Sequence, residues 1–418
     1  MALSQLIRIP ITRHAAAAPN GTKALMGLMH KYGMTPTMET RFERDHNRTL
    51  VVRRDDNTVE PVPAMDWVND LFYTSECTIG TPGLKFNLIF DTGSADLWTW
   101  STRLPESILA EGRQAGTTIF DPAQSSTYKE LDGYKWRIRY GDQSAAGGTV
   151  GTDNIQIGNI MVKNQTIQLA DRISESLVHS QGAHGLLGLA FGSLNTVTPL
   201  AAKTPLENMI TQKDIPVGQS LFTAYIGSYK DVNDADKGQS FFTFGGIDWE
   251  VVKSTGQEIT YVPVDTYRGF WQFNSPSFAI NGHVIRTADN TAIADTGTTL
   301  MLVSDDACRA IYNTIPGAIY SKDASAWLIP NGIPLEQLPF VSFALGDKQM
   351  VIEKEHLLYA PSDSPIPGMT FGGIQSRGSL PFDIWGDTML KCIYAIFDAG
   401  NMQFGAVQRV DLTQTTPV

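Results

Sequence analysis

One short pattern occurs twice in this chain. Ile89-Phe90-Asp91-Thr92-Gly93-Ser94 recurs as Ile293-Ala294-Asp295-Thr296-Gly297-Thr298. From Asp91 to the glycine of Leu186-Leu187-Gly188 is 97 residues, and from Asp295 to the glycine of Ile384-Trp385-Gly386 is 91. A lone Asp-Thr-Gly is an ordinary turn. Two copies, each ending an apolar run and each trailed by an apolar-apolar-glycine element, imply two related halves that each deliver one carboxylate.

The rest of the chain leaves room for such halves. It has 418 residues, 42% hydrophobic and 18% charged, the balance of a packed globular protein large enough for two lobes. The net charge of −11, with no Lys/Arg cluster, argues against a nucleic-acid binder. No apolar run is long enough for a membrane-spanning helix. Val410 to Val418 shows no hydrophobic tail of a lipid-anchor signal. Three cysteines allow at most one disulfide.

Period-two alternation dominates from Phe72 onward. Phe86, Leu88 and Phe90 alternate with Asn87, Ile89 and Asp91, and Trp136, Ile138 and Tyr140 alternate with Arg137 and Arg139. With frequent Gly and Asn turns this reads as antiparallel sheet. Helices are few: Ser304 caps one over Asp305 to Ile315, and Pro205 starts one ending near Thr211. Residues 105–118 and 229–239 read as surface loops.

Charge divides the chain. Residues 1–60 carry nine Lys/Arg against six acids, a net +3, and the remainder carries −14. A basic segment ahead of an acidic body suggests an electrostatic cover released when carboxylates are protonated. A solvated tail is the plain alternative.

Taken together, the motifs resemble those of the pepsin-like aspartic peptidases, of a fungal type, over nearly the whole chain. IFDTGSADLW (89–98) and AIADTGTTLML (292–302) resemble the two active-site motifs, and Tyr140-Gly141-Asp142 the flap that closes over substrate. GLLGLAF (185–191) and IWGD (384–387) resemble the elements through which each active-site loop is threaded, and Phe397-Asp398 and Phe404-Gly405 the closing strands. The resemblance implies a mostly β, bilobal pepsin-like acid protease fold, with two β-barrel-like lobes and the active site in the cleft between them. It places a propeptide-like segment at 1–54, an N-terminal lobe with Asp91 and the flap at 55–250, and a C-terminal lobe with Asp295 at 251–418.

The chemistry asks for this pair. Two carboxylates facing each other at ~3 Å cannot both ionise readily, so they share a proton. One takes a proton from the attacking water while the other hydrogen-bonds the scissile carbonyl. Asp91 and Asp295 are the expected dyad, with roles belonging to the pair rather than to either residue. Gly93 and Gly297 let the backbone approach the carboxylates. The resemblance implies that Ser94 and Thr298 bind the outer carboxylate oxygens and that Thr92 and Thr296 lock the loops together. It implies a flap of Tyr140, Gly141 and Asp142, with Tyr140 bonded to Trp98. Ile89, Leu177 and Thr299 are expected beside the dyad in the substrate pocket. Some fungal relatives carry Asp at the flap tip and tolerate Lys at the cleaved position, an expectation for Asp142 beside which an ordinary turn Asp stands open.

The front segment fits the same picture. Ile7-Arg8-Ile9-Pro10-Ile11 resembles the first strand of pepsin-like propeptides, and Ala24 to Gly33 the helix that follows. In such proenzymes a basic side chain sits on the dyad, and Lys31 is the candidate. Arg53-Arg54 is either a processing site or an exposed charged loop. Arg8 and Arg13 interrupt any apolar signal core, so the chain is either not exported or has lost a signal. The propeptide match favours export or delivery to an acidic vacuolar compartment. Asn20, Asn47 and Asn164 head glycosylation sequons that matter only on that route.

Several residues depart from the family pattern. His184 stands where the family has an acid and reads as a structural histidine. Trp385 replaces a small aliphatic residue and either crowds the Asp295 loop or fills a larger space. The flap lacks its second glycine. The second-lobe disulfide is expected to be absent.

The leading expectation is therefore an acid endopeptidase made as a zymogen. It would act on peptides or proteins as a monomer, need no cofactor or metal, be covered by its own propeptide and bind pepstatin-type inhibitors. A peptide-binding homologue without proteolysis, or a biosynthetic enzyme on the same scaffold, is the alternative. No His-Glu-x-x-His, Gly-x-Ser-x-Gly, phosphate-binding loop or zinc-spaced cysteine pair supports another chemistry.

Overall fold

The computed structural model describes residues 6–14, 20–44, 50–53, 59–61, 72–139, 145–174, 183–228, 239–361 and 366–409. Strands dominate, in the bilobal pepsin-like arrangement, and the alternating segments bury one face. Phe86, Leu88 and Phe90 are buried on the strand Leu84–Asp91, while Asn87 and Ile89 are half-buried.

The repeated motif corresponds to a repeated topology. In the first half, Gly185–Gly188 lies between Leu84–Asp91 and Leu97–Trp100, parallel to the former and antiparallel to the latter. In the second half, Asp383–Trp385 lies between Thr291–Ala294 and Met301–Val303 with the same pair of directions. Each threading strand therefore passes through the loop that carries one aspartate. Glycine at Gly188 and Gly386 makes this possible. A Cβ at Gly188 would lie 2.5 Å from Ala95 Cα, and one at Gly386 2.3 Å from the Thr298 and Leu300 carbonyls.

The front segment is built into this frame. Its strand Ile9–His14 pairs antiparallel with Phe241–Phe244 on one side and Phe72–Ile79 on the other. Arg8 adds an ion pair to Asp248 at 2.7 Å. The helix Gly21–Lys31 is capped by Asn20, whose side chain accepts from Lys23 N. Its apolar residues Leu25, Met26, Leu28 and Met29 pack with Ile293, Leu302, Phe371 and Ile384 of the second half. Burial of such side chains stabilises by about 1.5–3 kcal/mol each before ordering costs. A small sheet of Phe42–Arg44, Leu50–Arg53 and Val59–Pro61 straddles residue 54. The helix Trp249–Thr255 runs across residue 250.

The helix predicted after Ser304 spans Asp305–Tyr312, with the Ser304 side chain accepting from Ala307 N. The one expected to start at Pro205 spans Pro205–Gln212, and Thr204 ahead of it closes a capping box with Glu207. The expected loop over 105–118 is corrected: Glu106–Gln114 is a helix. It buries Leu109 and sets Gly112 against the Trp100 ring, a tertiary contact that periodicity over so short a polar segment does not announce. Of the other expected loop, residues 229–238 lie outside the described residues.

Among the departures, His184 is buried and its Nδ1 accepts from Asn87 N at 3.1 Å, a structural bond. Trp385 is fully buried edge-on against Phe273, with ring centroids 4.9 Å apart, so its bulk fills core space. Cys77, Cys308 and Cys392 are buried and unbridged. No helix among the described residues is long and apolar enough to cross a membrane.

Candidate active site

The two aspartates meet where the halves join. Each ends or follows a strand held by its threading element, so the main chain delivers both carboxyls to one place. Asp91 is 2% exposed and Asp295 fully buried. Asp91 Oδ1 accepts from Gly93 N at 2.8 Å and Oδ2 from the Ser94 hydroxyl at 2.6 Å. Asp295 Oδ1 accepts from Gly297 N at 3.0 Å and Oδ2 from the Thr298 hydroxyl. The two copies of the motif thus make matching bonds.

The loops are tied to each other reciprocally. Thr92 N donates to Thr296 Oγ1 at 3.1 Å, and Thr296 N to Thr92 Oγ1 at 2.9 Å. The Thr92 hydroxyl donates to the Ala294 carbonyl at 2.8 Å, and the Thr296 hydroxyl to the Phe90 carbonyl at 2.6 Å. All four bonds are buried, where losing a partner is costly.

A lysine from the front segment reaches this site. Lys31 Nζ lies 2.9 Å from Asp295 Oδ2, 3.1 Å from Asp91 Oδ1 and 3.3 Å from the Gly297 carbonyl. The next residue, Tyr32, donates its hydroxyl to Asp295 Oδ2. Tyr32 was not among the expected site residues. The signal was its position beside Lys31 at the helix end, but only the docked geometry aims the phenol.

The electrostatics follow from burial and these contacts. Burial raises the Asp91 pKa to about 6, with the Asp295 charge adding to the rise and Lys31 opposing it. Burial also works against the Asp295 charge. There the Lys31 ammonium and the hydrogen bonds from Thr298 and Tyr32 outweigh it, and Asp295 is held below the usual carboxylate range. Burial works against the Lys31 charge, but Asp295 and Asp91 more than compensate, so Lys31 stays protonated. The two carboxyls thus titrate unequally beneath a fixed cation, Asp91 taking a proton first as pH falls through about 6.

Asp387, next after Gly386, was not singled out as a site residue. It is buried, its N donates to the Thr298 carbonyl at 2.7 Å, and burial pushes its carboxyl up to about 8.

The remaining expected residues fall as follows. Ile89 is half-buried and pairs with Leu186 across the threading strand. Thr299 is half-buried and its carbonyl accepts from Thr388 N at 3.1 Å. Trp98 stacks on Trp136 with centroids 5.9 Å apart, and its Nε1 has no acceptor among the described residues. The flap residues Tyr140, Gly141 and Asp142, and the pocket residue Leu177, lie outside the described residues. The strands Lys129–Arg139 and Ala145–Ile157, on either side of the expected flap residues in the sequence, are antiparallel to each other.

The family model for eukaryotic aspartyl proteases matches residues 72–409. This chain belongs to that family. Among curated relatives of this peptidase, an aspergillopepsin A-like aspartic endopeptidase of Aspergillus fumigatus is 36% identical over 404 residues, 92% of this chain and 89% of that protein. Endothiapepsin of Cryphonectria parasitica is 34% identical over 341 residues, 82% of this chain and 75% of its own. Penicillopepsin-1 of Penicillium janthinellum is 36% identical over 339 residues, 81% of this chain and 95% of its own. The peptidase is thus an aspartic-type endopeptidase of the fungal pepsin-like group, acting on peptides or proteins. The family match begins at residue 72, so Lys31 and Tyr32 lie ahead of it.

Proposed function

We propose that this chain is the proenzyme of an acid endopeptidase in which Asp91 and Asp295 activate a water against the scissile peptide bond. The observation that carries the proposal is the Lys31 ammonium, bonded to both carboxylates at 2.9 and 3.1 Å. That position is needed by the attacking water, so the covered dyad is silent.

In the uncovered enzyme the carboxyl pair shares one proton. The charged member takes a proton from water, and the protonated member donates to the carbonyl oxygen. The tetrahedral adduct then collapses as a proton passes to the leaving nitrogen. Matching bonds from Ser94 and Thr298, and from Gly93 and Gly297, hold the two carboxyls in place. Substrate binds extended over about six to eight residues beneath a flap of Tyr140, Gly141 and Asp142. Ile89, Leu177 and Thr299 line the pocket beside the dyad, and Trp98 Nε1 is the donor available to Tyr140. The units are the front segment 1–54 and lobes 55–250 and 251–418, with cleavage near Arg54 freeing the body. An acid-driven release suits an extracellular or vacuolar setting, a monomer and a pepstatin-type inhibitor.

The test is hydrolysis of unfolded haemoglobin by the full chain between about pH 2.5 and 7, before and after acid incubation. The expected result is activity that appears on acidification as the front segment is lost, is blocked by pepstatin and is absent in Asp91→Asn. Folded protein that stays inactive after the front segment is removed would overturn the proposal.

A further inference from the structure

Away from the cleft, the second half contains a cluster that proteolysis does not use. Glu353 precedes the short helical turn Lys354–Leu357, and His356 lies on it. Cys392 sits between the helix Asp387–Leu390 and the strand Ile393–Asp398. All three side chains are buried, and one donor atom of each lies within 4.8 Å of the other two. His356 Nε2 is 3.2 Å from Glu353 Oε2, and Glu353 N donates to Cys392 Sγ at 3.4 Å. We infer that Glu353, His356 and Cys392 form a binding site for a divalent transition metal, zinc by donor chemistry.

Thiolate, imidazole and carboxylate are the three donor types that zinc takes in tetrahedral sites, and together they disfavour calcium and magnesium. Ligand bonds of about 2.0–2.3 Å require donors to stand somewhat closer to one another than the observed limit, a shift within side-chain reach. The main chain around the site is firm. His356 N bonds the Glu353 carbonyl at 2.9 Å, Cys392 N the Met389 carbonyl at 2.9 Å, and Arg409 N the Cys392 carbonyl at 2.9 Å. Glu355 Oε1 lies 3.8 Å from His356 Nε2 on a side chain 25% exposed. It stands at the solvent side, outside the three mutually close donors, and marks the way in, so the fourth position falls to water.

Binding forms a sulfur–metal bond as the Cys392 thiol loses its proton to the buffer, with no change of oxidation state. The metal would clip the Lys354–Leu357 turn to the segment leaving Asp387–Leu390. That helix bears on the Asp295 loop, because Asp387 N bonds the Thr298 carbonyl at 2.7 Å. Occupancy therefore stabilises the second half.

The experiment titrates cobalt(II), then competing zinc(II), into the full chain at neutral pH, following the thiolate-to-cobalt charge-transfer band. Thermal unfolding is measured with and without zinc. The expected result is one cobalt per chain with a thiolate band, displaced by zinc, and a higher unfolding midpoint with zinc. Cys392→Ser loses the band and the midpoint shift, while Cys308→Ser keeps both. Glu353→Gln, nearly isosteric, weakens binding by at least about tenfold and decides the matter if Cys392→Ser does not fold. A folded wild-type chain with no thiolate band, a band that survives Cys392→Ser, or affinity unchanged in Glu353→Gln overturns the site and leaves a buried Glu–His pair beside a thiol.

Discussion

Replacing Lys31 with methionine keeps most of the length of the side chain and removes its charge. In the native arrangement the ammonium answers two carboxylates that are 2% and 0% exposed. Removing one partner of a buried ion pair costs about 3–5 kcal/mol, because the remaining charge is left uncompensated. The two aspartates recover part of this by holding a proton between them. At 1.4 kcal/mol per tenfold, the front segment of Lys31→Met docks about 10²- to 10³-fold more weakly. The pH behaviour follows from the sign of the Asp295 shift. Its docked pKa is depressed, so its contribution to docking is present above the ordinary carboxylate value and lost as pH falls through the depressed one. The Asp295 part of the wild-type latch is therefore lost as acid protonates that carboxyl, and the variant, lacking the cation, opens in milder acid. The assay is hydrolysis of a fluorogenic peptide by intact chain near pH 5.5, with mass spectrometry showing that the front segment is still attached. The expected outcome is turnover by intact Lys31→Met and none by intact wild type. If the folded, intact variant is silent while the same preparation gains activity once its front segment is removed, Lys31 is not the latch.

Three further outcomes follow from the same contacts. Gly297→Ala places a Cβ 2.4 Å from Asp91 Oδ1, pushing the carboxyls out of register, so kcat of the activated enzyme falls by about 10²-fold or more in steady-state assays. Thr92→Val and Thr296→Val each remove bonds across the join and leave a main-chain N–H unpaired. Each lowers stability in denaturant melts by about 1–3 kcal/mol, and the double variant loses less than the sum. The Asp387 carboxyl is raised to about 8, so its contribution to stability is full below the ordinary carboxylate pKa and is lost as pH rises through about 8. Asp387→Asn stays neutral and flattens that loss, read as the unfolding midpoint between about pH 5 and 9.

The sequence by itself determined the two-fold plan. A doubled Asp-Thr-Gly followed by doubled apolar-apolar-glycine elements fixes which strands carry the carboxylates and which thread them, because the glycines are the residues that admit a second chain so close. Local rules also placed the helices starting at Pro205 and after Ser304, since a proline in the first turn and a serine cap both act between neighbours in the chain. Tertiary structure decided the rest. Glu106–Gln114 is a helix because Leu109 and Gly112 meet the core, a contact absent from the segment itself. Lys31 was one basic residue among nine in the front segment, and only docking of its helix on the second half brings it within 3.1 Å of both carboxylates and aims Tyr32 beside it. Cys392 lies 36 residues beyond His356, and nothing in their spacing predicts that they meet. Bonds between near neighbours are written into a sequence, whereas contacts across a core depend on where every other side chain has gone.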